Sequence, residues 1–253
     1  MELIGLIALL SAVTTAVAFS VDRQQYNYDC ETRSGNFEGD IMLTERQQET
    51  VISGRDPVVT EVDKWTNNLV PFVIEADSLT LEYAKLIREA MAKIEDVSTI
   101  RFVPKKQERD YLVISGESTG CWSTLGRNRG LNRMNISPSE CMFEGAIVHQ
   151  LFHVLGLGHV TNQQDRDHYL DINWDHVRPE HARSLQIHGG RVLPNHGIPF
   201  DEESIMHFGS KHFSRDGSDT IVLKNKEHTI GQREAMSLKD IRKLNIMYPC
   251  GYC

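Results

Sequence analysis

The stretch AIVHQLFHVLGLGH at residues 146–159 constrains the fold more than any other part of the chain. Residues four apart share one face of a helix, so His149 and His153 can present their imidazoles to one ion. Gly156 would then end the helix, because glycine accepts the left-handed conformation common at that point. The following turn can bring His159 to a third ligand position. Three imidazoles around zinc leave a fourth position for water, so the pattern predicts a zinc site of the catalytic type.

The overall composition indicates a globular protein and excludes two classes of partner. The chain has 253 residues, of which 40% are hydrophobic, so it can bury a substantial core. Its formal net charge is −8, and it lacks the clustered basic residues with which proteins bind nucleic acid. No basic run marks a membrane-binding surface either. We therefore expect neither a nucleic acid nor a membrane as partner.

The N-terminus has the pattern of a secretory signal peptide. Residues 3–18 are apolar, too short and too rich in small residues for a membrane span, and they end in Ala16-Val17-Ala18. A membrane anchor is the alternative, since Glu2 replaces the usual positive charge. The pattern predicts a signal peptide over residues 1–18 and secretion of the remainder.

Secretion would expose the cysteines to an oxidising compartment, in which disulfides persist. There are five of them, so at least one stays unpaired or pairs between chains. Cys250 and Cys253 have the spacing of a redox pair, but no helix follows them, which argues against a redox function. The others are Cys30, Cys121 and Cys141.

Two regions follow the signal peptide. Residues 19–55 are polar and show no periodic core pattern, so we interpret them as an extended appendage that ends at an exposed cleavage point, Arg55-Asp56-Pro57. Residues 56–253 become regular from Trp65, with a well-ordered first half and a loop-rich second half. The predicted strands are LVPFVIEA, IRFVP and DYLVISG, the predicted helices are LTLEYAKLIREAMAKIED, EGAIVHQLFHVLG and SLKDIRKLNIMY, and a loop is expected from Cys121 to Cys141.

Several motifs resemble those of the astacin family of secreted zinc endopeptidases. The family signature HExxHxxGxxHE is matched by HQLFHVLGLGHV, its methionine-containing turn SxMHY by SIMHF at residues 204–208, and its pro-segment motif FxGD by FEGD at residues 37–40. Further matches are VPF, IRFVP, SGESTGCWSTLG and DRDHYLDINW. The resemblance covers essentially the whole chain after the signal peptide, and the chain is identified as a family member.

The resemblance implies an α+β fold of the metzincin type, with two subdomains on either side of a cleft. The upper half would hold a twisted sheet and helices, and the lower half would be irregular with a C-terminal helix. Zinc would lie at the cleft floor on His149, His153 and His159, above a turn that contains Met206. The polar region would be a pro-segment that crosses the cleft backwards, with the Asp40 carboxylate in the place of the zinc-bound water.

Two departures from the family pattern affect the catalytic groups. Gln150 stands where the family has the glutamate that takes a proton from water and passes it to the leaving amine. An amide does not accept and return a proton near neutral pH, and this loss is typically worth ~10²–10⁴ in rate. Phe208 stands where the family has a tyrosine, which removes an oxyanion donor worth ~10²–10³ in turnover. The departures predict an inactive or strongly impaired enzyme.

Two further departures concern activation and disulfides. Val160 replaces a glutamate that meets the new N-terminus of activated family members, so that anchoring is lost. Thr99 replaces a cysteine whose family partner lies near the C-terminus, so Cys250 lacks that partner. The other family disulfide, Cys121 with Cys141, keeps both members. Pairing of Cys250 with either of the two remaining cysteines stays open.

Three functions fit these features. The first is a secreted, zinc-binding pseudoprotease that binds a peptide or protein in the cleft, either an active relative or its substrate. The second is an active or weakly active zinc endopeptidase that cleaves extracellular proteins, with zinc-bound hydroxide attacking unaided or with a neighbouring carboxylate or histidine as base. The third is an interaction protein that holds no metal. A metal assay separates the third function from the others, and a peptidase assay separates the first two.

The remaining polar motifs predict no site. Asn135-Ile136-Ser137 is a glycosylation sequon, but Pro138 directly after it disfavours its use. Seven further histidines lack ligand spacing, and we expect them at the surface or in loops. They are His168, His176, His181, His188, His196, His212 and His228.

Overall fold

The computed structural model describes residues 28–52, 64–187 and 196–250. The predicted signal peptide and the cleavage point at Arg55 lie outside these residues, so both stay predictions. None of the helices in the described part is long and apolar enough to cross a membrane.

Six strands form the main sheet of the upper half. They are β1 (Ile41–Met42), β2 (Leu69–Ile74), β3 (Arg101–Pro104), β4 (Tyr111–Ser115), β5 (Cys121–Thr124) and β6 (Leu131–Ile136). Their order across the sheet is β1-β5-β6-β4-β2-β3. Neighbouring strands are parallel except β5 and β6, which are antiparallel. The predictions of β2, β3 and β4 are confirmed.

The expectation of a loop from Cys121 to Cys141 was wrong, because β5 and β6 lie there. Asn132 and Asn135 of β6 are fully buried, so the strand does not show the apolar alternation that identifies strands in a sequence. The Asn135 amide donates to two loop carbonyls at 2.9 and 2.8 Å, which compensates its burial. A glycan on this side chain is incompatible with the folded structure.

The described residues contain four α-helices, and the last three agree closely with the predicted helices. They are α1 (Glu45–Ile52), α2 (Leu81–Asp96), α3 (Glu144–Val154) and α4 (Leu238–Met247). The α2 helix begins after Thr80, whose hydroxyl accepts a hydrogen bond from the Tyr83 amide. Its apolar face packs with α3 in the main core below the sheet. The helix that carries the predicted metal ligands is therefore held on a rigid base.

The second half of the chain is less regular, as expected. The strands β7 (Leu170–Ile172) and β8 (Ile221–Leu223) form an antiparallel pair, and short 3-10 turns connect the rest. This half has its own hydrophobic core, which includes Phe200, Phe208 and Phe213. The predicted α+β class, with an ordered upper half and an irregular lower half that ends in a helix, is confirmed.

The interpretation of the polar N-terminal region as an appendage was wrong for its described part. Residues 28–42, here called the N-terminal segment, lie against both halves of the molecule. β1 pairs with β5 at the sheet edge, and Ile41 forms a small core with Leu43 and Leu125. The region has no apolar periodicity, because most of its buried side chains are polar and find their partners in distant parts of the chain.

Candidate active site

Two of the predicted metal ligands lie on the helix α3, and the third follows the glycine turn that ends this helix. His149 and His153 are fully buried on α3, and the helix ends at Val154. Gly156 has a φ of +98°, and its amide donates to the His153 carbonyl at 2.8 Å. The chain then turns and brings in His159. The three ring centroids lie 4.6, 4.7 and 5.4 Å apart, as the sequence pattern predicts for one metal site.

Each imidazole is oriented through its Nδ1 atom. Nδ1 of His149 donates to the Ile205 carbonyl at 2.9 Å, and Nδ1 of His153 donates to the Leu157 carbonyl at 2.8 Å. Nδ1 of His159 donates to the Glu38 carboxylate at 2.7 Å. Because these acceptors take the Nδ1 protons, the three Nε2 atoms face the shared site as possible metal ligands.

The fourth group at this site is the Asp40 carboxylate. Its Oδ2 lies 2.9 Å from Nε2 of His149, and its Oδ1 lies 3.4 and 3.3 Å from Nε2 of His153 and His159. A tight turn makes this approach possible. Gly39 in that turn has a φ of +98°, and a Cβ there would lie only 2.9 Å from a backbone oxygen of the N-terminal segment. The FEGD motif therefore needs its glycine to place the aspartate.

The donor set fits a zinc ion. Three nitrogens and one carboxylate oxygen are ligands that zinc takes in tetrahedral sites, and one ligand atom of each residue lies within 4.8 Å of the others. Among the described residues, Asp40 Oδ1 and the Nε2 atoms of His153 and His159 have no hydrogen-bond partner although they are buried. Unsatisfied buried polar atoms are costly. A bound metal ion would satisfy all three atoms.

Burial and nearby charges shift the pKa values of the groups at this site. Burial lowers the pKa of His149 to about 4, so this imidazole is neutral and can bind a cation. Burial also acts to lower the pKa of His159, but Asp40 and Glu38 outweigh it and raise that pKa to about 9. Burial acts to raise the pKa of Asp40, but His153 and His159 hold it well below its usual range. Metal binding would displace the proton of His159, because a ligand must be deprotonated.

Gln150 and Phe208, the residues at the two predicted departures from the family pattern, both lie at this site. Gln150 is fully buried, and its Nε2 donates to Asp40 Oδ2 at 2.7 Å. Phe208 is 1% exposed, and its ring centroid lies 4.1 Å from that of His159. The phenyl ring packs against a metal ligand but offers no hydrogen-bond donor.

Two further predicted residues lie directly behind the histidines. Met206 is 1% exposed and packs in the main core, and its carbonyl accepts from the Val160 amide at 3.1 Å. Val160 is also buried in this core. The position after the third histidine therefore carries no carboxylate that could meet a new N-terminus.

Glu31 and Arg233 form a buried ion pair that was missed in the sequence. Nε and Nη2 of Arg233 donate to the two carboxylate oxygens of Glu31 at 2.8 and 2.6 Å. Burial acts to raise the pKa of Glu31, but the Arg233 charge outweighs it and holds that pKa well below its usual range. The partners are 202 residues apart, so no local spacing could have paired them. The one available signal was the acidic character of the N-terminal region.

His212 lies beside this ion pair in a loop, which agrees with the expectation of a surface or loop position, but only 3% of its side chain is exposed. Its Nε2 is 3.5 Å from a carboxylate oxygen of Glu31. The ring of Phe208 stacks on it with centroids 5.1 Å apart, which explains its burial within an irregular loop.

The pairing of the cysteines agrees in part with the prediction. Cys121 and Cys141 form a disulfide, so this prediction is confirmed. Cys30 is a buried free thiol, so pairing with Cys30 was a wrong alternative. Burial raises the pKa of the Cys30 thiol. Cys250 is disulfide-bonded, and its partner lies outside the described residues.

Hydrogen bonds occupy the place where the family has its other disulfide. The Thr99 hydroxyl donates to the Tyr248 carbonyl at 2.8 Å and accepts from the Asn68 amide at 2.7 Å. Asn68 also donates to the Pro249 carbonyl at 3.3 Å. Thr99 therefore still ties the sheet to the C-terminal chain, without a covalent bond.

Comparison with known proteins identifies the family. The model of Astacin (Peptidase family M12A) matches residues 58–249. Zinc metalloproteinase nas-14 of Caenorhabditis elegans is 34% identical over 77% of this chain and 39% of its own length. High choriolytic enzyme 1 of Oryzias latipes is 38% identical over 74% of this chain and 69% of its own. Seminal metalloprotease 1 of Drosophila melanogaster is 34% identical over 88% of this chain and 90% of its own.

Comparison with solved structures gives the same family as comparison of sequences. The structure of High choriolytic enzyme 1, described as a hatching enzyme zinc-protease from medaka, superposes with a TM-score of 0.69 at 36% identity. The match covers 74% of this chain and 93% of that one. This chain spans less than half the length of some relatives, 39% of nas-14 and 44% of the chicken Astacin-like metalloendopeptidase. The chain belongs to the astacin family of zinc metallopeptidases, and its four-residue site can bind that metal.

Proposed function

We propose that this chain is a secreted, zinc-binding pseudoprotease, an astacin-family protein that keeps the metal site but lacks effective peptidase activity. In this proposal residues 1–18 are a signal peptide, residues 19–55 a pro-segment and residues 56–253 the protease-like body. One observation carries the proposal. The side chain that follows the first metal ligand is the amide of Gln150, fully buried and directed at the metal site.

The carboxylates that contact the metal ligands belong to the N-terminal segment. Asp40 contacts all three imidazoles, and Glu38 contacts the Nδ1 side of His159, away from the shared site. A substrate can reach the metal only if the segment leaves, and both carboxylates leave with it. Neither is then in place to replace the missing glutamate.

A histidine is also a poor replacement. Burial lowers the pKa of His207 to about 3, far below the range near neutrality that suits a general base. Its Nδ1 donates to the Phe208 carbonyl at 2.6 Å, and its basic nitrogen, Nε2, is buried away from solvent. This observation disfavours an active enzyme that uses His207 as its base.

The chemistry that remains follows from the residues. Bound zinc would lower the pKa of its water to about 7. Gln150 can hydrogen-bond and orient such a water, but it cannot carry the proton to a leaving amine. Phe208 presents carbon where the family has a hydroxyl, so a tetrahedral intermediate would lack one donor. The site can hold a metal ion and a peptide, but it lacks a group that transfers the proton from water to the leaving amine.

Astacin proteases bind peptide substrates in this cleft, and the proposed partner is a peptide or an extended part of a protein. We propose an active relative or the substrate of one. Names such as hatching enzyme and seminal metalloprotease describe the relatives themselves. The partner of this chain is identified by binding experiments on the chain itself.

The decisive experiment restores the two lost groups. Gln150→Glu should raise peptide hydrolysis above background, and adding Phe208→Tyr should raise it further by no more than ~10²–10³. Both variants are made in a chain that begins at Asp56 and in the full chain with Asp40→Ala, since the aspartate otherwise blocks the metal. Recovery should be partial, because Val160 leaves the new N-terminus without its carboxylate partner.

A His149→Ala control excludes contaminating protease, and elemental analysis of the same sample confirms zinc. If zinc-loaded wild type cleaves casein as fast as the double variant, the chain is an active enzyme with another base. If the folded protein carries no zinc, the metal-free interaction protein becomes the correct description.

A further inference from the structure

The contact between Gln150 and Asp40 is the closest hydrogen bond that joins α3 to the N-terminal segment. The donor and acceptor are 2.7 Å apart and both residues are fully buried. The orientation of the amide is chemically determined, because Oε1 in this position would face a carboxylate oxygen with no proton between them. A hydrogen bond to an ionised acceptor is stronger than one between neutral groups.

Gln150 therefore adds an interaction as well as removing a base. A glutamate carboxylate offers only acceptors at neutral pH. It would face the Asp40 carboxylate at hydrogen-bond distance in a site without solvent, where like charges repel most strongly. The same substitution that disables proton transfer gives α3 a permanent donor toward Asp40, whereas a glutamate could bond to it only through a shared proton.

We infer that Gln150 holds the N-terminal segment in the cleft, so that the proposed partner peptide has to displace the chain's own segment to enter it. This inference rests on the proposed pseudoprotease, because an active enzyme must release the segment. It assigns Gln150 the role of a positioning residue for Asp40.

Two other acidic side chains of the segment also form hydrogen bonds with residues outside it. Glu31 is paired with Arg233, and Glu38 accepts from His159. All three carboxylates of the segment that enter the cleft meet a donor from the body, and each is at most 2% exposed. Release of the segment would remove the carboxylate that neutralises Arg233, whose side chain is fully buried while the segment is docked. The donors that line the cleft therefore bind acidic side chains, and in this structure those side chains belong to residues 28–42.

Hydrogen exchange on the full chain tests the inference. The Ser123 amide donates to the Asp40 carbonyl at 2.9 Å and the Ile41 amide donates to the Phe37 carbonyl at 2.9 Å, so both report docking of the segment. Gln150→Glu should raise exchange at both amides at least tenfold, in zinc-loaded and in chelator-treated protein. Gln150→Met removes the amide without adding charge and should give an intermediate increase.

The chain offers a matched control. Gln163 is also buried, and its Nε2 donates to an Asp165 oxygen at 2.8 Å, as Gln150 does to Asp40. Gln163→Glu should leave exchange at Ile41 and Ser123 within about threefold of wild type, and unchanged exchange in α2 shows that each variant is folded.

Equal exchange in wild type and Gln150→Glu, an unchanged rate in Gln150→Met, or an equal increase in Gln163→Glu would overturn the inference. Exchange does not depend on hydrolysis. Peptidase activity of the wild-type chain would therefore refute the proposed function and, with it, the retention of the segment. Unchanged exchange would refute this inference and leave the proposed function standing.

Discussion

The buried ion pair between Glu31 and Arg233 should contribute strongly to docking of the N-terminal segment. Removing one partner of a buried pair typically costs ~3–5 kcal/mol, because the other charge stays buried without compensation. In Glu31→Gln the amide oxygen can still accept one of the two hydrogen bonds from Arg233. We therefore expect a loss near the lower limit, about 3 kcal/mol, which changes the ratio of docked to undocked segment on the order of 10²-fold.

The chain contains a reporter for this equilibrium. Cys30 belongs to the segment, is 2% exposed and carries a free thiol. Burial raises the pKa of this thiol, so it reacts with alkylating reagents only when the segment opens. Glu31→Gln should therefore increase the labelling rate of Cys30, mapped by peptide mass, on the order of 10²-fold, while the thermal midpoint of the body changes little.

A second ion pair on the same segment serves as the control. Arg33 and Glu140 interact at 2.7 Å, but their side chains are 49% and 17% exposed. Such surface pairs contribute ~0–1 kcal/mol, so Arg33→Ala should raise Cys30 labelling less than about fivefold. A rate for Glu31→Gln within threefold of wild type, or equal rates for the two variants, would refute the reasoning.

Three further predictions follow from the site and its supports. Purified protein should bind one zinc per chain by elemental analysis, and His153→Ala should abolish this binding; full occupancy in that variant would contradict the assignment. Because the folded pKa of Glu31 is lowered, its contribution to docking is present above the usual glutamate pKa of about 4.3 and is lost as pH falls below it. The protection factor of the Ile41 amide, which is corrected for the slower intrinsic exchange at low pH, should therefore fall between about pH 4.3 and about pH 3, with a smaller slope in Glu31→Gln than in wild type. Thr99→Val should lower the free energy of unfolding by ~1–3 kcal/mol in urea titrations, since the buried carbonyl of Tyr248 loses its donor; no change would show that this link is dispensable.

The identity of the metal site was readable in the sequence because its ligands are local. His149, His153 and His159 lie within eleven residues, on one helix and one glycine turn, so helix periodicity and the properties of Gly156 determine their arrangement. The same locality made α2, α3 and α4 predictable. The FEGD motif indicated a contact with the metal only through its resemblance to a family, since Asp40 is more than a hundred residues from its partners.

Tertiary structure alone decided how the N-terminal segment is held and what Gln150 does. The pairs Glu31 with Arg233 and Gln150 with Asp40 join residues 202 and 110 apart, and sequence spacing carries no information about such contacts. β6 was missed for a related reason, because Asn132 and Asn135 are buried polar residues whose hydrogen-bond partners exist only in the folded chain. Local periodicity records which face of an element is apolar. The partner of a buried charge or amide depends on how distant elements are brought together.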